Sequence, residues 1–177
     1  MIQYFPKFTF LKLLLKISNN ISPLNTATLK KAANYCVYQE RTQDEVRKRL
    51  HEWKVCGDEA EEIIAYLITE NYLNEERFAK AFAGGKFRVK KWGRLRIKAE
   101  LKARKMSKYI MEVAMKEIPN DDYFTTATQL IEKKLHDLRT ESNYLKRKQK
   151  TFNYLISKGY ESNIILEILK DLEKKTS

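Results

Sequence analysis

The chain has 177 residues, enough for one ordinary domain or a short array of small modules; 43% are hydrophobic, which permits a sizeable core and argues against wholesale disorder. Only 5 Gly and 3 Pro punctuate it, too few turn signals for an all-β fold, so the long Leu/Lys/Glu/Ala-rich stretches are read as helices. Lys plus Arg total 35 against 23 Asp plus Glu, a net charge of +12, which suits nucleic acid, an anionic membrane or an acidic protein face.

In chain order, residues 2–17 read IQYFPKFTFLKLLLKI, a hydrophobic run broken by Lys7, Lys12 and Lys16. Its longest clean apolar stretch, Leu13-Leu14-Leu15, falls far below the roughly 20 residues of a membrane span. It also lacks the layout of a signal peptide. Two readings stay open, a loosely attached extension and an amphipathic helix on a membrane surface, with the first favoured.

The first helical group opens with Leu29, Ala32, Ala33, Cys36 and Val37, an i, i+3, i+4, i+7, i+8 stripe. Thr42 and Glu45 have capping-box spacing and start a helix that buries Val46, Leu50 and Trp53. Gly57-Asp58 begins a third helix, with Ala60, Ile63, Ile64, Leu67 and Ile68 on its apolar face. The second group starts at Asn74, an N-cap followed by Glu75 and Glu76 at the positive end of the dipole, and carries Phe78, Ala79 and Phe82. Gly93 opens its second helix, with Ile97 and Leu101, and the third bears Ile110, Val113, Ala114 and Ile118 before stopping at Pro119. The last group sets Phe124, Ala127, Ile131 and Leu138 on one helix. Its second helix carries Leu145, Phe152, Leu155 and Ile156, closed by Gly159, and its third Ile164, Ile165, Ile168, Leu169 and Leu172.

Anchored on Leu50, Leu101 and Leu155, the groups superpose with a period of 51 and then 54 residues: five positions on stand Val55, Met106 and Tyr160. The expected fold is therefore all-α: tandem three-helix, helix-turn-helix-like repeats in an elongated, curved array. The expected boundaries are an N-terminal extension at 1–22 and repeats at 23–72, 73–119 and 120–177. A unit this small scarcely buries its own core, so neighbours are expected to lean on one another.

Cys36 and Cys56 lack paired spacing and have only His51 and His136 to join them, so no zinc site is expected. Both fall in helical patterns and read as reduced, mostly buried small groups, which fits a reducing compartment. The chain carries no Gly-rich phosphate loop, no nucleophile elbow and no metal-spaced cluster, so neither enzyme activity nor a cofactor or small-molecule substrate is expected.

The basic excess is concentrated. Between Lys86 and Lys108 stand Lys86, Arg88, Lys90, Lys91, Arg94, Arg96, Lys98, Lys102, Arg104, Lys105 and Lys108 against the single acid Glu100. Arg94, Lys98, Lys102 and Lys105, spaced 4, 4 and 3 apart, form a stripe opposite Ile97 and Leu101. A second cluster is Lys146, Arg147, Lys148 and Lys150. Like charges at i, i+4 repel, and tolerating that cost points to an anionic partner. Gly57 to Glu76, by contrast, holds seven acids and no Lys or Arg. The pair Gly84-Gly85 costs about 1 kcal/mol each against Ala within a helix and signals either a kink or a close backbone approach.

Residues Tyr35 to Thr42 followed by Glu45-Val46-Arg47-Lys48-Arg49-Leu50 resemble the opening of the RecX family. Tyr72-Leu73-Asn74-Glu75-Glu76-Arg77-Phe78-Ala79, then Phe82, is similar to that family's Y-L-D-D-x-R-F-A stretch, and Gly93-Arg94-Leu95-Arg96-Ile97 with Glu100-Leu101 and Lys105-Met106 to its G-x-x-R-I-x-x-E-L-x-x-K-G-I. The resemblance covers about residues 26–173, strongest over 35–118; Asn74 replaces the usual Asp, and Lys105 a Gly. It implies tandem three-helix repeats and a cytoplasmic regulator, acting as a monomer in DNA repair, recombination and the SOS response. Such a regulator binds within the groove of the RecA–DNA filament, touches single- or double-stranded DNA there, and limits filament growth. The family brings no catalytic residue. Candidate contact residues are Arg47, Lys48 and the two basic clusters apart from Lys108; Arg77 and Phe78 are expected at a repeat junction. The competing readings are a stand-alone DNA-binding protein of transcription-factor type and a membrane-peripheral protein docked by residues 2–17.

Overall fold

The computed structural model of the protein describes residues 23–176, so the expectations for residues 1–22 fall outside the described part. The described residues form helices with no strand: α1 (Pro23–Tyr38), α2 (Gln43–Glu52), α3 (Asp58–Thr69), α4 (Glu75–Lys90), α5 (Arg94–Ala103), α6 (Lys108–Met115), α7 (Asn120–Asp137), α8 (Tyr144–Lys158) and α9 (Ser162–Thr176). Chain contacts divide them after Asn74 into two compact units, one with α1–α3 and one with α4–α9.

In the first unit, α3 packs on both α1 and α2. Its core is Leu29, Ala32, Ala33, Cys36, Val46, Leu50, Val55, Ala60, Ile63, Ile64, Leu67 and Leu73, flanked by half-buried Tyr35, Trp53, Tyr66 and Tyr72. The capping box at the start of α2 is formed in full: the Glu45 amide donates to Thr42 Oγ1 at 3.1 Å and the Thr42 amide to Glu45 Oε2 at 2.9 Å. Cys36 is buried, but Cys56 is exposed, because it lies in the turn between α2 and α3 and not on a helical face. Val37, predicted on the apolar stripe of α1, is 63% exposed.

In the second unit α4 packs chiefly on α6, and α7 on α8 and α9. One core serves both groups of helices: Phe78, Phe87, Ile97, Leu101, Met106 and Ile118 of the first join Tyr123, Ile131, Leu155, Tyr160, Ile165 and Leu169 of the second. An aromatic column crosses the junction, with Phe87 5.9 Å from Tyr123 and Tyr123 stacked 4.9 Å from Tyr160. Helix α4 continues unbroken through Gly84 and Gly85. A Cβ on Gly85 would meet nothing within 4 Å, and the atoms nearest to one on Gly84 belong to the Arg88 guanidinium.

The repeat is visible in backbone hydrogen bonds as well as burial. Leu50, Leu101 and Leu155 have no exposed surface, and their carbonyls accept from Val55, Met106 and Tyr160 at 3.0, 3.1 and 3.1 Å. Each bond closes the second helix of its group by the same turn, with an intervening residue in the left-handed region: Lys54 (φ 65°), Lys105 (φ 60°) and Gly159 (φ 89°). The residue after it is buried, which ties each helix end to its core.

Candidate functional site

Whether the basic residues form an interface depends on which of them are already engaged inside the protein. Arg47 is engaged: its Nε and Nη2 donate to Glu61 at 2.6 and 3.0 Å and its Nη1 to Asp44 at 3.0 Å, linking α2 to α3. The hydrogen bond to Glu61 raises the Arg47 pKa and lowers that of Glu61. Lys48, beside it, is exposed with no ion pair among the described residues.

In the second unit, Arg94 opens α5 and turns inward. Its guanidinium donates to the Ile118 carbonyl and to Asn120 Oδ1, both at 2.8 Å, and lies 4.3 Å from the Tyr123 ring centre. Its amide donates to the Tyr123 hydroxyl at 3.0 Å, and that hydroxyl donates to Glu161 at 2.6 Å. Burial, reinforced by the Glu161 hydrogen bond, pushes the Tyr123 pKa well above the ordinary tyrosine value. Arg96 stacks on Trp92 at 4.1 Å and donates to the Ser157 carbonyl at 3.2 Å. Lys86 sits over Phe82 and Trp92 at 5.1 and 5.2 Å, and Arg104 pairs with Glu100 at 2.8 Å over the Phe82 ring.

The second basic cluster is largely engaged as well. Lys148 pairs with Glu173 and Lys150 with Glu141, each at 2.7 Å, and Arg147 lies 5.6 Å from the Tyr144 ring centre. The hydrogen bonds from Lys148 and Tyr144 hold Glu173 below the usual carboxylate range. Among the described residues, only Lys146 of that cluster is exposed without an ion pair.

Also exposed are Arg88, Lys90 and Lys91 at the end of α4, and Lys98, Lys102 and Lys105 on and just beyond α5. Lys98 and Lys102 stand one turn apart, opposite Ile97 and Leu101, which have no exposed surface, and this fixes the outward direction of the stripe. A shallow groove of about 550 Å³ runs beside it, lined by Arg94, Lys98, Glu112, Met115, Lys116, Ile118, Pro119, Asn120 and Glu161. Lys116, outside both basic runs, therefore shares the groove with Lys98; sequence spacing carried no signal for it. The arrangement suits contact with an anionic surface through mobile ammonium groups, where each exposed pair is worth less than about 1 kcal/mol and the sum matters.

The motif residues lie beneath this surface. Phe78 and Ala79 are buried, Phe82 stacks on Phe78 at 5.9 Å, and Gly93 caps α5. Arg77 is half-buried, as is Tyr72 beside the first unit's core, where burial raises its hydroxyl pKa. Among the described residues no group of three or more His, Cys, Asp or Glu is placed to hold a metal ion, and no helix is long and apolar enough to cross a membrane.

Three family models match the chain in order, described as the first, second and third three-helix domains of RecX, over residues 29–67, 74–115 and 121–169. Among curated proteins, the regulatory protein RecX of Bacillus cytotoxicus is 29% identical over 144 residues, covering 81% of this chain and 53% of that protein. That of Clostridium perfringens (strain 13 / Type A) is 33% identical over 133 residues, covering 75% and 62%. The chain thus spans about half to three fifths of the length of the curated relatives it matches. Among solved structures, a crystal structure of RecX from Lactobacillus salivarius superposes with a TM-score of 0.76 at 26% identity, covering 84% of this chain and 96% of the other. A second, a crystal structure of regulatory protein RecX, gives 0.72 at 20% identity over 83% and 74%, a likeness of fold.

Proposed function

The chain belongs to the RecX family, and on that premise we propose that it binds the RecA nucleoprotein filament and restrains its recombinase and coprotease activities. The observation that supports this reading most is the exposed stripe of α5 formed by Lys98 and Lys102, within a chain matched by all three RecX domain models. In this reading residues 23–72, 73–119 and 120–177 act as three tandem repeats, and the second repeat presents its lysines to the filament groove and its DNA phosphates. The protein works as a monomer in the cytoplasm, with no catalytic group or cofactor of its own.

Pure protein added to a RecA ATPase or strand-exchange reaction tests the proposal. Inhibition near stoichiometric ratios is the expected result; undiminished activity at those ratios contradicts it. Any direct DNA affinity should fall steeply with salt, since phosphate contacts release counterions.

A further inference from the structure

We infer that Gly93 and Gly159 form a backbone-to-backbone joint that makes α4–α6 and α7–α9 one rigid body, and that glycine is required at both positions by this contact. A Cβ on Gly93 would stand 2.1 Å from the Gly159 carbonyl oxygen and 2.4 Å from the Tyr160 amide nitrogen. A Cβ on Gly159 would stand 2.3 Å from Arg96 Cβ and 2.6 Å from its amide nitrogen. These are main-chain atoms or atoms fixed to it, so neither clash is relieved without moving one helix group against the other.

Backbone conformation alone does not demand either glycine. Gly93 has φ −75° and ψ 161°, open to every residue. Gly159 is left-handed, but so are Lys54 and Lys105 at the same place in the other two groups. What sets 159 apart is its neighbour. The α8 carbonyls, which have no partner within their own helix, accept from the start of α5: the Gly93 amide donates to Lys158 O at 2.8 Å and the Leu95 amide to Gly159 O at 3.0 Å. The negative end of one helix thereby meets the positive end of the other. Tyr123, between the Arg94 amide and Glu161, and Arg96, reaching the Ser157 carbonyl, brace the joint on either side. The exposed lysines of α5 are in consequence held at a fixed distance from Lys146 on α8, whatever partner they meet.

Nitrogen-15 relaxation and amide hydrogen exchange test the joint directly, without reference to any partner. In the wild-type protein, residues of α4–α6 and of α7–α9 should share one tumbling time, and the Leu95 amide should exchange as slowly as the interior amides of α5. Gly93→Ala should raise Leu95 exchange at least tenfold, with helix content retained. Gly57→Ala, at φ +64° and ψ −142° with nothing within 4 Å of its Cβ, strains the backbone without a clash and should leave Leu95 exchange unchanged. Separate tumbling or fast Leu95 exchange in the wild-type protein overturns the inference even if Gly93→Ala fails to fold, as does a Gly93→Ala protein with unchanged Leu95 exchange.

Discussion

Arg94 heads the basic stripe, yet replacing it should cost stability that replacing its neighbours does not. Arg94→Ala removes a partly buried charged hydrogen bond to the Ile118 carbonyl, a more exposed one to Asn120, and the stacking on Tyr123. A charge-assisted bond to a carbonyl contributes about 1.5–2 kcal/mol, the exposed one roughly 0.5 kcal/mol after solvent competition, and the cation–π contact about 0.5–1 kcal/mol. The sum is roughly 2.5–3.5 kcal/mol, equivalent in a unit of this size to a fall in melting temperature of about 10 °C or more. Lys98→Ala with Lys102→Ala removes two exposed ammonium groups that repel each other, and the double variant should stay within about 0.5 kcal/mol of wild type. Urea denaturation followed by far-UV circular dichroism measures both. An Arg94→Ala protein that unfolds within 0.5 kcal/mol of wild type would refute the reasoning, because the guanidinium would then be no more than another solvated cation.

Lys98→Glu combined with Lys102→Glu should abolish inhibition of RecA strand exchange while leaving helicity intact; full activity in the double variant would show that this stripe only faces solvent. Gly85→Ala should stabilise the second unit by about 0.5–1 kcal/mol in thermal melts, since the new methyl meets no atom and the helix interior favours alanine. Burial holds the Tyr123 and Tyr160 hydroxyls above their ordinary pKa and that of Tyr66 at about 12. The folded state therefore keeps protons that the unfolded chain has released above about pH 10. Stability should be independent of these groups below pH 10 and decline above it, by up to about 1.4 kcal/mol per pH unit for each of the two fully buried rings, as read from urea midpoints across pH 9–11.

The fold was legible in the sequence because each helix shows its buried stripe at helical spacing, and the 51- and 54-residue offsets place Leu50, Leu101 and Leu155 at equivalent, fully buried positions. The errors came where the apolar pattern ran past the packed surface: Val37 and Leu145 continue their stripes in spacing, but are 63% and 74% exposed. Cys56 was misplaced because the turn after Val55 interrupts the helical period. The candidate surface was legible only as a density of charge. Spacing puts Arg94, Lys98 and Lys102 in one row, but it cannot show that Arg94 reaches a carbonyl 24 residues on or that Lys148 and Lys150 find Glu173 and Glu141. Such partners are set by tertiary packing. So is the meeting of Gly93 with Gly159, for which neither residue's local sequence carries a signal.

The most direct measurement is the length of RecA filaments on single-stranded DNA, imaged while this protein is titrated in at constant salt. Progressive shortening at substoichiometric to stoichiometric ratios, absent with the Lys98→Glu, Lys102→Glu protein, is the result predicted. Filaments of unchanged length, or equal shortening by the double variant, would contradict the claim that the outward lysines of α5 are what this protein brings to RecA.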